Sequence, residues 1–192
     1  MRRFVKICAA IAAVGVVVVA AGDEGLAQTT QPNAVASGTR VADAGRRARL
    51  VVELETKHPA EYYLRAKSLF ESGQKDDAVF LLYLGQLRYR LYLTANPNLP
   101  KDRDPAVFSA LSETVGRPIN EYAFGDIPAL ARTIQAVLAL DEARPDEFTS
   151  QTATPKQRRE IREGLAEMRS TLLAQADAIS AQRAKNGLPN RN

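Results

Sequence analysis

Few side chains in this sequence are suited to metal or nucleophilic chemistry. The chain contains a single histidine, His58, and a single cysteine, Cys8. The spacing His58-x-x-Glu61 suits a metal on a helix, but it lacks the further nitrogen or sulfur ligands that a zinc site needs. No G-x-S-x-G motif, phosphate-binding loop or dinucleotide fingerprint is present. We therefore predict no metal site and no cofactor.

Paired carboxylates are the remaining catalytic possibility. Glycan-cleaving enzymes use one carboxyl group as an acid and another as a base or nucleophile. Glu121 and Asp126 could flank a cleft, as could Glu53 and Glu55. The first pair belongs to a distinctive run at 115–126 that contains glycine, proline and aromatic residues between two predicted helices. The same run is also consistent with a loop whose aromatic residues fill the core. A peptidoglycan hydrolase built on Glu121 and Asp126 is therefore an alternative function.

The N-terminal 27 residues have the pattern of an export signal. Three basic residues fall within the first six positions, and residues 7–22 carry no charge. Small residues at Gly25 and Ala27 then fit a cleavage site before Gln28. At about 1.5 Å per residue, the apolar stretch would form a helix of ~24 Å, shorter than the ~30 Å hydrocarbon core of a bilayer. A cleaved signal peptide at 1–27 is thus favoured over an N-terminal membrane anchor, which is the alternative.

Export determines the compartment and the available partners. We predict a periplasmic protein with no membrane span after cleavage and no nucleic-acid partner. Cleavage would remove Cys8, so the mature chain would hold no disulfide and would depend on its hydrophobic core. The formal net charge of the whole chain is only +4, from 26 basic and 22 acidic residues. Its basic clusters, of which Arg46-Arg47-Arg49 is the first, are therefore interpreted mainly as solvated faces.

The sequence after the signal is helical in pattern nearly throughout. Segments 28–40 and 187–192 are small and polar, which predicts a disordered linker and a disordered tail around a single domain at 41–186. We predict an all-α, compact bundle of about five to six helices, preceded by the signal helix. Asp104, Asp126 and Thr154 are the predicted N-caps. The predicted helices span 41–56, 58–72, 75–95, 104–116, 126–143 and 154–185.

Two of these helices have informative apolar patterns. The helix at 75–95 is apolar around most of its circumference, which predicts the buried, central element of the bundle. The helix at 154–185 instead carries one apolar stripe at spacings of three and four, which predicts packing on the chain's own core. The stripe consists of Ile161, Leu165, Met168, Leu172, Ala176 and Ile179.

Small residues recur at helix-packing positions in the segment 60–96. Ala66 and Gly85 fall where two helices would approach closely, and the run ESGQKDDA places Gly73 in a turn before Ala78. This pattern resembles a tetratricopeptide repeat (TPR). No second copy follows, and such repeats need roughly three units to form a solenoid. The resemblance therefore implies one TPR-like hairpin within the bundle, and a role in contacts between proteins.

Together these features favour binding over catalysis. We predict an exported protein–protein interaction module of the cell envelope, with an envelope protein as its partner. Aromatic residues and arginine are typical interface hot spots, which selects the candidate groove residues. These residues are Tyr62, Arg65, Tyr83, Arg88 and Tyr89. Besides the hydrolase, an immunity or inhibitor protein for an exported toxin is an alternative, and the oligomeric state is not predicted.

Overall fold

The computed structural model describes Asp43 and residues 45–191, so the predicted signal at 1–27 and linker at 28–40 lie outside the described residues. Within the described part every regular element is helical, which confirms the predicted all-α bundle. The elements are α1 at 45–51 with a 3₁₀ turn at Val52–Leu54, α2 (Ala60–Glu71), α3 (Lys75–Ala95), α4 (Asp104–Leu111), a π-helical turn (Ser112–Gly116), α5 (Arg117–Ala123), α6 (Ile127–Ala143), α7 (Glu147–Ser150), α8 (Pro155–Ala174) and α9 (Ala176–Lys185).

Helix α3 is the centre of the bundle, as its apolar pattern predicts. All of its residues from Asp77 to Tyr89 are buried. It packs against α2 on one side and against α5, α6 and α8 on the others. A helix that is covered all round can position side chains from several neighbours, and for that reason the buried polar contacts converge on α3.

Helices α2 and α3 form a tight hairpin. Gly73 has a φ of +85°, a left-handed conformation that favours glycine and ends α2 as predicted. Gly85 faces Tyr62 so closely that a Cβ atom on the glycine would lie 2.6 Å from the Tyr62 Cβ. Ala66 and Ala78 are fully buried in the same interface. The close approach expected from these small residues is therefore present.

The apolar stripe of the last predicted helix packs on the core as expected. Leu165, Leu172 and Ile179 are buried, and the other members of the stripe pack against them. The helix is not continuous, however. It is interrupted at Gln175, whose backbone N–H donates to the Leu172 and Thr171 carbonyls. The break separates α8 from α9 while both keep their apolar side on the core.

The run at 115–126 is helical as far as Ala123, and only the turn at 124–126 fits the prediction of a loop. The chain passes from α4 through the π-helical turn directly into α5. Pro118 occupies the first turn of α5, where its missing N–H removes no helical hydrogen bond. Ile119 and Ala123 are buried on the inner side of α5. Pro118 therefore does not end the helical path.

Two of the three predicted N-caps are confirmed. The Asp126 carboxylate accepts the Ala129 N–H at 2.8 Å, and Thr154 forms a capping box with Gln157. Asp104 does not cap α4, because Arg103 precedes the helix and makes no side-chain cap. The Asp104 carboxylate instead accepts the Tyr92 hydroxyl at 3.3 Å. Asp104 therefore contacts a residue of another helix and does not cap its own.

The C-terminal segment is ordered by contacts up to Arg191, in contrast to the predicted disordered tail. The Arg191 N–H donates to the Gly125 carbonyl at 2.7 Å, and its guanidinium carbon lies 3.5 Å from the centre of the Tyr122 ring. Arg183 donates to the Pro189 carbonyl at 2.8 Å. Two arginines therefore hold a segment whose composition alone is typical of disorder.

The close contact at Gly85 yields a matched pair of substitutions. Gly85→Ala should lower the free energy of unfolding by about 1–2 kcal/mol, because the clash with Tyr62 outweighs the better helix propensity of alanine. Gly116→Ala is the control, since a Cβ there would meet its nearest atoms at 3.8 Å. It should leave stability equal or higher by up to ~1 kcal/mol. Urea unfolding followed by circular dichroism measures both, and equal effects would contradict the packing assigned to Gly85.

Candidate functional site

The structure places four of the five predicted groove residues inside the core, which corrects the sequence-based assignment. Tyr62, Tyr83, Arg88 and Tyr89 are all at most 3% exposed. They cannot contact a partner while the helices remain packed. Arg65 alone among the five is exposed, on the outer face of α2.

Arg88 is a fully buried charge whose side chain is completely enclosed. Its Nε donates to Asp141 Oδ1 at 3.4 Å, and its Nη2 donates to the Arg144 carbonyl at 2.8 Å. Its Nη1 donates to the Tyr62 hydroxyl. Arg88 on α3 therefore binds α2, the end of α6 and the residue that follows α6.

Asp141 completes this network from α6. Its carboxylate is fully buried and its second oxygen accepts from Arg162 Nε on α8 at 2.8 Å. At the edge of the network, Arg144 pairs with Glu55 at 2.9 Å. A buried carboxylate between two guanidinium groups has the hydrogen bonds that its burial requires. The network is a structural joint between helices.

His58 belongs to an aromatic cluster at one end of α3. Its ring centre lies 5.2 Å from those of Tyr89, Tyr92 and Phe148, each time nearly perpendicular. Its Nδ1 accepts the Ala60 N–H at 3.2 Å, at the start of α2, as a capping histidine would. Its Nε2 lies 3.1 Å from Asp104 Oδ1, so the hydrogen bonds assign the ring proton to Nε2. The histidine joins the start of α2 to α4.

The proposed catalytic carboxylates have different surroundings. Asp126 is engaged as the cap of α6, and Glu121 is an exposed residue of α5 close to Arg183. Neither lines the cleft described below. The hydrolase hypothesis therefore gains no supporting observation from the described residues.

A cleft of about 290 Å³ lies between α1 and α2 and is open to solvent. It brings Arg65 together with the basic cluster of α1. The lining residues are Arg46, Arg49, Leu50, Glu53, Leu54 and Arg65. Sequence reasoning identified Arg65 and the run that contains Arg46 and Arg49, but it had no signal for the packing of α1 beside α2. We call this feature the α1–α2 cleft.

The arginines of the α1–α2 cleft differ in whether they form ion pairs. Arg46 pairs with Asp43 at 3.0 Å and with the buried Asp77. Arg49 and Arg65 are exposed, and neither makes an ion pair with any residue in the described part of the chain. Two guanidinium groups at the cleft are thus available to a ligand.

The two most exposed large apolar side chains neighbour cleft residues in the sequence. Val52 and Leu64 are the most exposed of the large apolar side chains in the described residues, at 52% and 50%. Val52 precedes the cleft residue Glu53, and Leu64 precedes Arg65. Single exposed apolar residues are common, and neither Val52 nor Leu64 lines the cleft itself, whose apolar lining is Leu50 and Leu54.

Among residues 43 and 45–191, no group of three or more His, Cys, Asp and Glu side chains could hold a metal ion. None of the helices in that same part combines the length and apolar character needed to cross a membrane. The chain matches no protein-family model, no curated protein and no solved structure.

The buried network predicts opposite outcomes for two arginines. Arg88→Met should lower the free energy of unfolding by about 3–5 kcal/mol, because Asp141 would keep its buried charge with one partner fewer. Arg65→Met should change it by less than about 0.5 kcal/mol, since Arg65 is exposed and unpaired. Chemical unfolding of both variants measures the difference. A mild effect of Arg88→Met would contradict the structural role.

Two buried tyrosines predict alkaline sensitivity. Burial raises the pKa of Tyr62 and of Tyr63 to about 12. A raised folded-state pKa means that the stability is complete below pH 10, the unfolded value, and is lost as the pH rises towards 12. The Tyr63 hydroxyl lies near Ser112 without forming a well-aligned hydrogen bond. Tyr63→Phe should therefore be nearly neutral in stability at pH 7 and should reduce the alkaline loss.

The measurement is urea unfolding between pH 8 and pH 11. Tyr63→Phe should reduce the loss of stability by about 1.4 kcal/mol at pH 11, where the unfolded tyrosine ionises and the folded one does not. Tyr62→Phe is the comparison, because it removes the acceptor of Arg88 and should already cost about 1–3 kcal/mol at pH 7. An unchanged alkaline slope in Tyr63→Phe would contradict the assignment.

Proposed function

We propose that this chain is an exported helical module that binds another protein of the cell envelope and has no catalytic chemistry of its own. The observation that carries the proposal is the α1–α2 cleft, in which the unpaired Arg49 and Arg65 adjoin the partly buried Leu50 and Leu54. The export signal at 1–27 is the support for the periplasmic location.

The composition of the cleft favours a protein partner. Arginine and large apolar groups in one patch are typical of interface centres, where guanidinium groups make directional contacts and apolar groups are dehydrated. The cleft is open and, at about 290 Å³, lies just below the ~300–1,000 Å³ that pockets for small molecules usually occupy. A protruding segment of a protein suits such an opening better than an enclosed small ligand.

The TPR-like hairpin adds support by resemblance. Its first helix, α2, buries Tyr62 and Ala66 against α3 and presents Arg65 outward. We propose that the pair α2–α3 serves as the rigid TPR-like support and that α1 completes the binding surface. The proposed class of function is the one predicted from the sequence, but the binding residues are those of the α1–α2 cleft and not the buried Tyr62, Tyr83, Arg88 and Tyr89.

Affinity capture tests the proposal. The tagged full chain and its variants are crosslinked in cells and recovered from the periplasmic fraction, and the captured proteins are identified by mass spectrometry. The double variant Arg49→Glu/Arg65→Glu should reduce one captured protein by at least about tenfold, because two attractive contacts become repulsive. The matched control is Arg132→Glu/Arg159→Glu, which reverses two exposed arginines on α6 and α8.

The results of the capture experiment distinguish between the proposed function and its alternatives. Identical capture by all three chains would refute the cleft as the binding surface. The identity of the captured protein decides whether the module is an inhibitor of an exported toxin. The intact mass of the recovered chain should correspond to a start at Gln28, whereas a retained N-terminal segment would establish the membrane-anchored alternative.

A further inference from the structure

We infer that the segment held in the α1–α2 cleft is an acidic peptide that carries an apolar side chain beside its carboxylates. The inference rests on the proposed function, because it assigns the chemistry of the partner at the same cleft. It follows from three properties of the cleft: its unpaired charge, its apolar lining and the fixed position of its wall.

The charge of the cleft selects a carboxylate. The charge of Arg46 is already met by Asp43 and Asp77. The two remaining guanidinium groups, on Arg49 and Arg65, exceed the single carboxylate of Glu53 by one positive charge. A guanidinium presents N–H donors in a planar fork that matches both oxygens of a carboxylate. One or two acidic side chains would therefore complete the ion pairing of this surface.

The apolar lining requires more than a free anion. Leu50 and Leu54 lie one helical turn apart and both line the cleft. Both leucines pack partly against the core, and an isolated anion bound to the arginines would leave their remaining surface in water. An apolar side chain next to a Glu or Asp would cover their exposed part.

Polyanions with a repeating phosphate backbone fit less well. Glu53 sits on the same lining and would repel a phosphate. Only two unpaired cations are present at the cleft, whereas phosphate-rich surfaces are bound by larger clusters of lysine and arginine. A peptide can place its carboxylates on Arg49 and Arg65 and keep its neutral positions beside Glu53.

The wall of the cleft is held in place before any ligand arrives. Asp77 on α3 is only 2% exposed and binds Arg46 of α1. The Arg47 guanidinium lies 5.0 Å from the centre of the Phe80 ring, also on α3. Because α1 is attached to the central helix at these points, little ordering of the cleft is needed when a peptide binds.

Fluorescence anisotropy with a defined probe tests the inference. The probe is a short fluorescein-labelled peptide that alternates Glu with Leu, and two companion peptides replace all Glu by Gln or all Leu by Ala. The full chain should bind the Glu–Leu peptide and should bind each companion at least about fivefold more weakly. Affinity should fall as salt is added, because the contacts include exposed ion pairs.

The cleft variants provide the second arm. Arg49→Glu/Arg65→Glu should weaken binding of the Glu–Leu peptide at least about tenfold, whereas Arg132→Glu/Arg159→Glu should leave it unchanged. Circular dichroism confirms that each variant is folded. Should the double reversal disturb the fold, Arg49→Gln and Arg65→Gln, measured singly, give the same test with a smaller expected loss.

Failure of the inference and failure of the proposed function are distinguishable. If the peptide does not bind, or binds all variants equally, while the periplasmic partner still depends on Arg49 and Arg65, the inference is wrong and the proposed function stands. If the peptide depends on both arginines but no periplasmic protein does, the proposed function fails. Equal binding to phosphatidylglycerol vesicles, or displacement of the peptide by millimolar inorganic phosphate, would overturn the peptide assignment.

Discussion

The buried contact between Arg88 and Asp141 is the constraint on which the rest of the bundle depends. Both side chains are fully enclosed, and removal of such ions from water costs several kcal/mol each unless they are paired. The helices α3 and α6 must therefore meet at the register that joins these two residues. Arg162 then fixes α8 to the same carboxylate, and the Tyr62 hydroxyl fixes α2 to the same guanidinium. Apolar packing gives the bundle most of its stability, whereas this network selects one arrangement of four helices.

Buried carboxylates outside this network join the smaller elements to the bundle. Asp77 binds α1 through Arg46, and Asp146 accepts the Thr149 N–H at 2.9 Å to start α7. Each internal carboxylate thus has a cation or a backbone donor as its partner. The unpaired cations Arg49 and Arg65 lie at the surface, in the α1–α2 cleft. The cleft brings these two arginines together with the apolar side chains of Leu50 and Leu54, and this combination directs attention to it as a site of recognition.

Local patterns in the sequence predict much of the fold, but not the site. The apolar circumference of 75–95 and the stripe from Ile161 to Ile179 reflect periods of a few residues, and both are confirmed. Arg88 shows the limit of such patterns. An arginine beside aromatic residues is equally typical of an interface and of a buried ion pair, and its partner Asp141 is 53 positions away. The α1–α2 cleft could not be predicted for the same reason, because it depends on how two helices pack against each other and not on the sequence of either helix alone.

The two ion pairs of Arg46 show how one side of the cleft can be fixed to the core while side chains at its opening remain free to move. One of its partners, Asp77, is buried, and the other, Asp43, is 45% exposed. Exposed pairs contribute at most about 1 kcal/mol, whereas loss of a partner from a buried carboxylate is far more costly. The contact of Arg46 with Asp77 can therefore persist even where the exposed pair with Asp43 is lost. The wall formed by α1 would then stay attached to α3, and only side chains at the opening would rearrange as the acidic peptide binds.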